Sequence, residues 1–295
     1  MYELIRLTDR DFFIDCPAKL GLVRVDDTGV VLIDGGSDKD AAKKALRILA
    51  DRGWTLRAVF NTHSHADHIG GNRLLQDRTG CPIYAPGLDC AYANNPILEP
   101  VGLWGGLPFG ELRHKFIMAQ ESRVSPLTDD VLPAGMSVIP LPGHSFDMVG
   151  FMTADRTAYI ADSVCSAETL EKYGITFLWD PAVTVDTLER LRSLSADRFV
   201  PAHAPVTEDI APLADLNIRA IRAAEDKLLT VCRTPQTFEA VLRQVFDAYG
   251  LTMTAQQYVL VGSTVRSYLS SLHDRGLMTF SFTNNEMRWQ TAEGQ

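Results

Sequence analysis

Three histidines and an aspartate stand inside the octet N-T-H-S-H-A-D-H at residues 61–68: His63, His65, Asp67 and His68. Imidazole nitrogen and carboxylate oxygen are donors for a borderline or hard divalent cation such as Zn²⁺, at about 2.0–2.2 Å. A lone histidine here would read as a polar loop residue capping the next helix, but four ligand-type side chains in six positions read as a metal site. Three later stretches repeat the grammar of an apolar run ending in a ligand-type residue. S-V-I-P-L-P-G-H-S carries His144, T-A-Y-I-A-D-S carries Asp162, and R-F-V-P-A-H carries His203. Each alone reads as a turn, loop or helix-entry residue. Together they put five of the chain's seven histidines at expected strand ends. His114 and His273 fall elsewhere and are given no metal role.

Those side chains need elements that bring them to one place. A hairpin is expected over residues 20–25 and 30–34, with D-D-T-G at its turn. A helix is expected over 38–51, stopped by Gly53, and an apolar strand over 56–60 that runs into the octet. Were the octet itself a strand, His63 and His65 would point one way and Ser64 the other; a loop at an open sheet edge lets them converge. A helix over 67–79 closed by Gly80 and a strand at C-P-I-Y-A follow. After Pro96 the chain reads as irregular. Residues 102–116 gather Trp104, Phe109 and Phe116 among glycines, either as a lid on a substrate pocket or as a surface loop pinned by its aromatics. Trp179 is a further candidate wall, with core packing as the alternative. Strands at 137–141, 148–153 and 157–161, a helix at 186–195 and a strand at 198–203 complete an α/β pattern of sheets covered by helices. Beyond residue 205 come helical patterns at 206–232, 237–249 and 262–275 and a hairpin turning at Asn284-Asn285. That is the order of a winged helix, so two units are expected, 1–205 and 206–295.

The four motifs resemble those of the metallo-β-lactamase superfamily: T-H-S-H-A-D-H its H-x-H-x-D-H signature, P-G-H-S its second histidine motif, A-D-S its bridging aspartate and P-A-H its last histidine, over about residues 1–205. The resemblance implies an αββα sandwich with metals at the sheet edge. It implies one metal on His63, His65 and His144, another on Asp67, His68 and His203, and Asp162 between them. Asp34, in V-L-I-D-G-G, resembles the family's buried aspartate that orients the histidine loop, although a plain turn residue would suit the same place. Two such metals share a water, lower its pKa toward neutrality and supply a hydroxide nucleophile, which Asp67 would steer and later relieve of its proton. Zinc is expected first, with iron or manganese as alternatives, because ligand type alone does not choose the metal. His65 stands where flavodiiron oxygen reductases carry glutamate, and Asp162 where the commonest secreted zinc β-lactamases carry cysteine. The set is instead like that of glyoxalase II-type thioesterases, lactonases and phosphodiesterases, and a mono-iron sulfur dioxygenase of similar fold is a further alternative.

Charge and composition narrow the partners. The 295 residues are 46% hydrophobic and 22% charged, with a formal net charge of −9, ordinary for a globular chain and unlike a general nucleic-acid binder. From residue 206 onward eight Lys and Arg stand against ten Asp and Glu, too few cations for the phosphate contacts that dominate nucleic-acid affinity. The C-terminal segment is therefore expected to pack over the active site or to serve dimerisation. The start carries acids early and no apolar h-region, no run is long enough to span a bilayer, and the five cysteines are scattered, so a cytoplasmic location away from membranes is expected. Neither Ser163 nor Cys165 is paired with a base, and both read as structural. The expected function is a binuclear metal-dependent hydrolase of a small ester, thioester or lactone. The alternatives are a phosphodiesterase or endoribonuclease using the same site and a ligand-sensing winged-helix regulator.

Overall fold

Apolar runs in the first 85 positions supply six of the seven strands of the largest of three sheets. A computed structural model describes residues 2–293; Met1, Gly294 and Gln295, which end the two expected units, lie outside the described residues. Strands β1 (Glu3–Arg6), β2 (Asp11–Asp15), β3 (Leu20–Arg24) and β4 (Gly29–Ile33) form an antiparallel meander. Parallel strands β5 (Thr55–Phe60), β6 (Ile83–Ala85) and β7 (Ser125–Pro126) extend it to seven strands in chain order. The second sheet holds β8 (Ser137–Pro140), β9 (Val149–Met152), β10 (Thr157–Cys165) and β11 (Arg198–His203), in the order β11-β10-β9-β8.

The two sheets face each other through Phe13, Val31, Ile33, Phe60, Val149, Phe151, Tyr159 and Val200, all buried. Tyr159 keeps its phenol satisfied there by donating to the carbonyl of Phe12 at 2.8 Å. Helices α1 (Lys39–Asp51), α2 (Ala66–Ile69), α3 (Asn72–Thr79) and α4 (Gly87–Asn94) pack on the first sheet's side, and α5 (Leu98–Trp104) follows them in the chain. Ala42, Ala45 and Leu49 of α1 and Leu75 of α3 share one core with Leu22, Leu32 and Val59 of that sheet. On the other side lie α6 (Ala167–Tyr173), α7 (Pro181–Arg192), α8 (Ala211–Val231), α9 (Phe238–Tyr249) and α10 (Ala255–Asp274). Leu188 of α7, Ile221 and Leu228 of α8 and Leu269 of α10 share a core with Ile160 and Phe199 of the second sheet. The order of layers is helix, sheet, sheet, helix. The chain ends in hairpin β12 (Met278–Thr283) and β13 (Glu286–Thr291), whose turn residues Asn284 and Asn285 both have positive φ, 52° and 62°. No helix among the described residues is long and apolar enough to cross a membrane.

Several boundaries differ from expectation, each for a physical reason. The helix expected over 67–79 is two helices broken at Gly70-Gly71. There the backbone passes so close to the loop after β4 that a Cβ on Gly71 would meet the carbonyl oxygen of Gly35 at 2.1 Å, and one on Gly70 that of Ser37 at 2.3 Å. The stretch after Pro96 is not wholly irregular, since α5 and a 3₁₀ turn at Gly110–Leu112 lie in it, and α5 is held by Leu103, which packs against Val259 of α10. The helix expected at 186–195 begins earlier, because Asp180 caps it by accepting from the amides of Ala182 and Val183 and Pro181 occupies its first turn. Likewise Thr254 caps α10 well before residue 262 by accepting from Gln257 N–H. Strand β10 does not stop at Ala161 but continues to Cys165 with a shifted register against β11.

Gly71 and Gly53 make a test of that packing. Gly71→Ala should lower unfolding stability by more than about 2 kcal/mol, since backbone must move. Gly53→Ala has φ of 68° but nothing within 4 Å, and should cost only the left-handed backbone, about 1 kcal/mol. Urea unfolding of both variants measures this, and equal losses would contradict the close approach.

Candidate metal centre

The ends of β4, β5, β10 and β11 and the turn after β8 meet at one edge of the sandwich. The octet leaves β5 as a loop because its backbone is claimed from outside any strand: Thr62 N–H donates to Asp34 Oδ1 at 2.8 Å, and Ser64 N–H donates to Asp89 Oδ1 at 2.9 Å. Asp34 adopts φ of 69° directly after β4, a left-handed conformation that Asp tolerates. That turn aims its carboxylate back at the octet. Oδ2 accepts from Thr62 Oγ1 at 2.9 Å and from His68 Nδ1 at 2.7 Å. With its own proton given to Asp34, the Thr62 hydroxyl can only accept from His63 Nδ1, 2.9 Å away. His203 Nδ1, at the end of β11, donates to the carbonyl of Pro17 at 3.1 Å.

These bonds decide the tautomers. In their neutral forms His63, His68 and His203 carry their one proton on the outer nitrogen, which leaves Nε2 as the donor atom each offers inward. His65 is turned the other way, with Nδ1 2.9 Å from His144 Nε2. The inward atoms form two groups, each mutually within 4.8 Å: His63, His65 and His144, and Asp67, His68, Asp162 and His203. Asp162 reaches both, with Oδ1 3.0 Å from His68 Nε2 and Oδ2 3.3 Å from His203 Nε2 and 3.4 Å from His144 Nε2. Asp67 Oδ2 lies 3.3 Å from His203 Nε2.

All seven expected ligand residues are therefore together, and Asp34 is bonded to two parts of the octet. The expectation that needs correction is how Asp162 arrives. It is not a residue after a finished strand but an interior one, brought out where the β10–β11 register slips and Ala161 takes φ of 47°. Holding alanine there costs about 1–2 kcal/mol, which the flanking pairing sustains.

The donor set fits a cation on an observation independent of any resemblance. His63 Nε2, His68 Nε2 and Asp162 Oδ1 are buried without a hydrogen-bond partner. With lone pairs facing each other at 3.0 Å, His68 Nε2 and Asp162 Oδ1 need a positive charge between them, a proton or a metal ion. The acid–base balance differs between the groups. Burial, with the neighbouring rings, keeps His63 well below the usual imidazole range and lowers His65 to about 4 and His144 to about 3. In the other group the Asp162 carboxylate raises His203 to about 10. Burial disfavours a charged His68, but Asp162, Asp34 and Asp67 outweigh it and hold its proton well above the ordinary value.

The site opens into a cavity of about 380 Å³ lined by His65, Asp67, His144, Asp162 and His203 and walled by Phe116, Ile117, Ile175, Phe177, Leu260 and Val261. Of the four candidate wall aromatics only Phe116 lines it. Trp104 and Phe109 lie edge to face at 5.2 Å, and Trp179 packs on Phe146 at 4.5 Å, all three exposed. Cys165 also lines the cavity, but burial and then Asp162 push its thiol up to about 12, away from any nucleophilic role. Ser163 donates to the carbonyl of Ile160 at 2.7 Å.

Sequence reasoning missed three contributors. Asp89 in α4 accepts from Ser64 N and Oγ, Ser145 Oγ and Asp147 N at 2.6–3.0 Å, tying the octet to the His144 turn. Its signal was a lone acid inside an apolar helix, G-L-D-C-A-Y-A-N. Phe177 lies edge to face on His65 at 5.0 Å, and Glu99 of α5 stands 3.9 Å from His65 Nε2; neither carried a readable pattern.

Comparison with known proteins gives a consistent family. A model described as the metallo-beta-lactamase superfamily matches residues 15–203. The hydroxyacylglutathione hydrolase of Methylococcus capsulatus is 28% identical over 173 residues, 55% of this chain and 54% of that protein. Its counterpart from Bradyrhizobium sp. is 27% identical over 205 residues, 67% of this chain and 69% of that one. The chain thus spans about half the length of the first of these relatives. Among solved structures, a metallo-beta-lactamase family protein from Thermus thermophilus aligns with a TM-score of 0.72 at 17% identity, covering 98% of this chain and 97% of that one. A beta-lactamase domain protein from Burkholderia ambifaria aligns at 0.70 and 17%, covering 98% and 94%. At such identity the structures speak for the fold alone.

The unlike groups predict unlike metal binding. A ligand ring must give up any proton on its donor nitrogen. Affinity at Asp67, His68, Asp162 and His203 should therefore rise with pH up to about 10, the folded value of His203. Affinity at His63, His65 and His144 should be flat above about 4, where those rings are already neutral. Zinc titration of chelator-stripped protein between pH 6 and 9 should show one pH-dependent and one pH-independent event; two events with the same slope would refute the assignment.

Proposed function

The chain belongs to the metallo-beta-lactamase superfamily, and on that premise we propose that it is a metal-dependent hydrolase of a small ester, thioester or lactone, with residues 1–205 as the catalytic unit and 206–295 as its cover. The observation that carries the reading is two donor groups joined by Asp162, in which His63, His68 and His203 have their outward nitrogens hydrogen-bonded while His63 Nε2, His68 Nε2 and Asp162 Oδ1 are buried without a partner. Seven ligands in two groups suit two divalent ions, zinc first, with iron or manganese as alternatives. When bound, such ions supply Lewis acidity toward an acyl oxygen and bring the pKa of a water near neutrality.

The chain's own residues do the rest. Asp67 faces the cavity with its side chain 43% exposed, so it can accept a hydrogen bond from the attacking water and take its proton. His203, 3.3 Å away on the same carboxylate, holds Asp67 in place. Water's oxygen bonds to the acyl carbon, the bond to the alcohol or thiol breaks, and the proton held at Asp67 passes to that leaving group. Phe116, Ile117, Phe177 and Leu260 offer an apolar wall for the acyl chain.

A phosphodiester or RNA substrate finds less support. Lys115 is the one lysine or arginine among the described residues lining the cavity, and it is engaged by Asp38 at 2.8 Å. Helix α10, which would be the recognition helix of a winged helix, buries Val265, Tyr268, Leu269 and Leu272 and turns Gln256, Gln257 and Leu260 toward the cavity. That placement supports a covering role. We infer a cytoplasmic location for the enzyme.

Elemental analysis of protein purified without chelators should give about two transition-metal ions per chain, and His63→Ala should lose metal and activity together. Asp67→Asn should lower kcat by about 10²–10⁴-fold. In a panel of thioesters, lactones, esters and phosphodiesters, turnover is expected on the acyl substrates; metal near zero, or turnover confined to phosphodiesters, overturns the reading.

A further inference from the structure

We propose that Glu99 is a positioning residue for the metal centre, its carboxylate accepting the Nε2–H of His65 and so holding that ring with Nδ1 turned toward His63 and His144. The inference rests on the metal reading above and extends it to the insert. The inward atom of His65 is Nδ1, 2.9 Å from His144 Nε2. A neutral ring that offers Nδ1 as a lone pair carries its proton on Nε2. The octet's other two histidines have their outer N–H groups taken up, His63 by Thr62 Oγ1 and His68 by Asp34. His65 faces instead the carboxylate of Glu99, with Nε2 to Oε1 at 3.9 Å and side chains 15% and 14% exposed.

No described lysine or arginine pairs with Glu99, and burial, with Asp89 and Asp67 nearby, pushes its carboxyl up to about 8, so its charged form needs a donor such as His65 Nε2–H beside it. A separation of 3.9 Å is within ion-pair reach but longer than a hydrogen bond. The edge of Phe177, 5.0 Å from the imidazole, shields the pair on another side. A carboxylate behind a ligating histidine fixes its tautomer and raises its basicity, and removing one typically weakens metal binding 10–100-fold. Because Leu103 docks α5 on Val259 of α10, the C-terminal helices would then bear on the metal centre through this carboxylate as well as by walling the cavity.

The test compares wild type, Glu99→Gln and Glu99→Ala by zinc competition with a chromophoric chelator, alongside urea unfolding of the stripped proteins. The alanine variant should bind one of two zinc ions about 10–100-fold more weakly and hold the other as wild type does. The glutamine variant, keeping an acceptor without its charge, should fall between. Stripped proteins should unfold at similar urea concentrations, which a merely structural role would not give. Zinc affinities in Glu99→Ala equal to wild type at both sites, or weakened equally at both, overturn the role of Glu99 while leaving the metal site standing; wild-type protein that takes up no zinc overturns both.

Discussion

The carboxylate of Asp34 is the anchor on which the geometry of the histidine loop depends. It sits in a left-handed turn at the end of β4 and accepts from the Thr62 amide, the Thr62 hydroxyl and His68 Nδ1. By claiming the Thr62 proton it also sets the proton of His63, one bond further on. Buried and charged, it would be costly without those donors; with them, it holds two inward lone pairs toward a common centre. Asp89 does the same from the opposite side, joining Ser64 to Ser145 and so the octet to the His144 turn.

Electrostatics follows from that arrangement. Burial keeps His63, His65 and His144 neutral, while the carboxylates beside His68 and His203 outweigh burial and keep a proton there until something displaces it. Two adjacent groups thus differ in how they respond to pH, although both are built from imidazoles. Asp162 touches the two and is held low by His203 and His68 despite its burial.

The cover of the site comes from distant parts of the chain. Helix α5 is set by its packing on α10, and α10 sends Gln256, Gln257, Leu260 and Val261 to the cavity wall. The shared core running from Ile160 and Phe199 of the second sheet to Leu228 and Leu269 of the C-terminal helices explains how that wall is kept in place.

Much was legible in residue order because metal donors are few in kind and caps and turns are local. The octet, His144, Asp162 and His203 announce themselves by type after apolar runs. Asp38, Thr237 and Asn284-Asn285 mark ends and turns by chemistry that acts within a few residues. What pattern reading could not reach is set by pairing between segments far apart. Gly70-Gly71 breaks a helix because β4's loop lies against it, and Asp162 leaves mid-strand because β10 slips against β11. Asp89, Phe177 and Glu99 join the site only because α4, the loop before α7 and α5 fold over it. By itself the sequence determined which donors the protein owns and in what order. Only the tertiary structure decided which nitrogen of each ring faces inward, since a tautomer is set by the hydrogen-bond partner that folding brings to the other side.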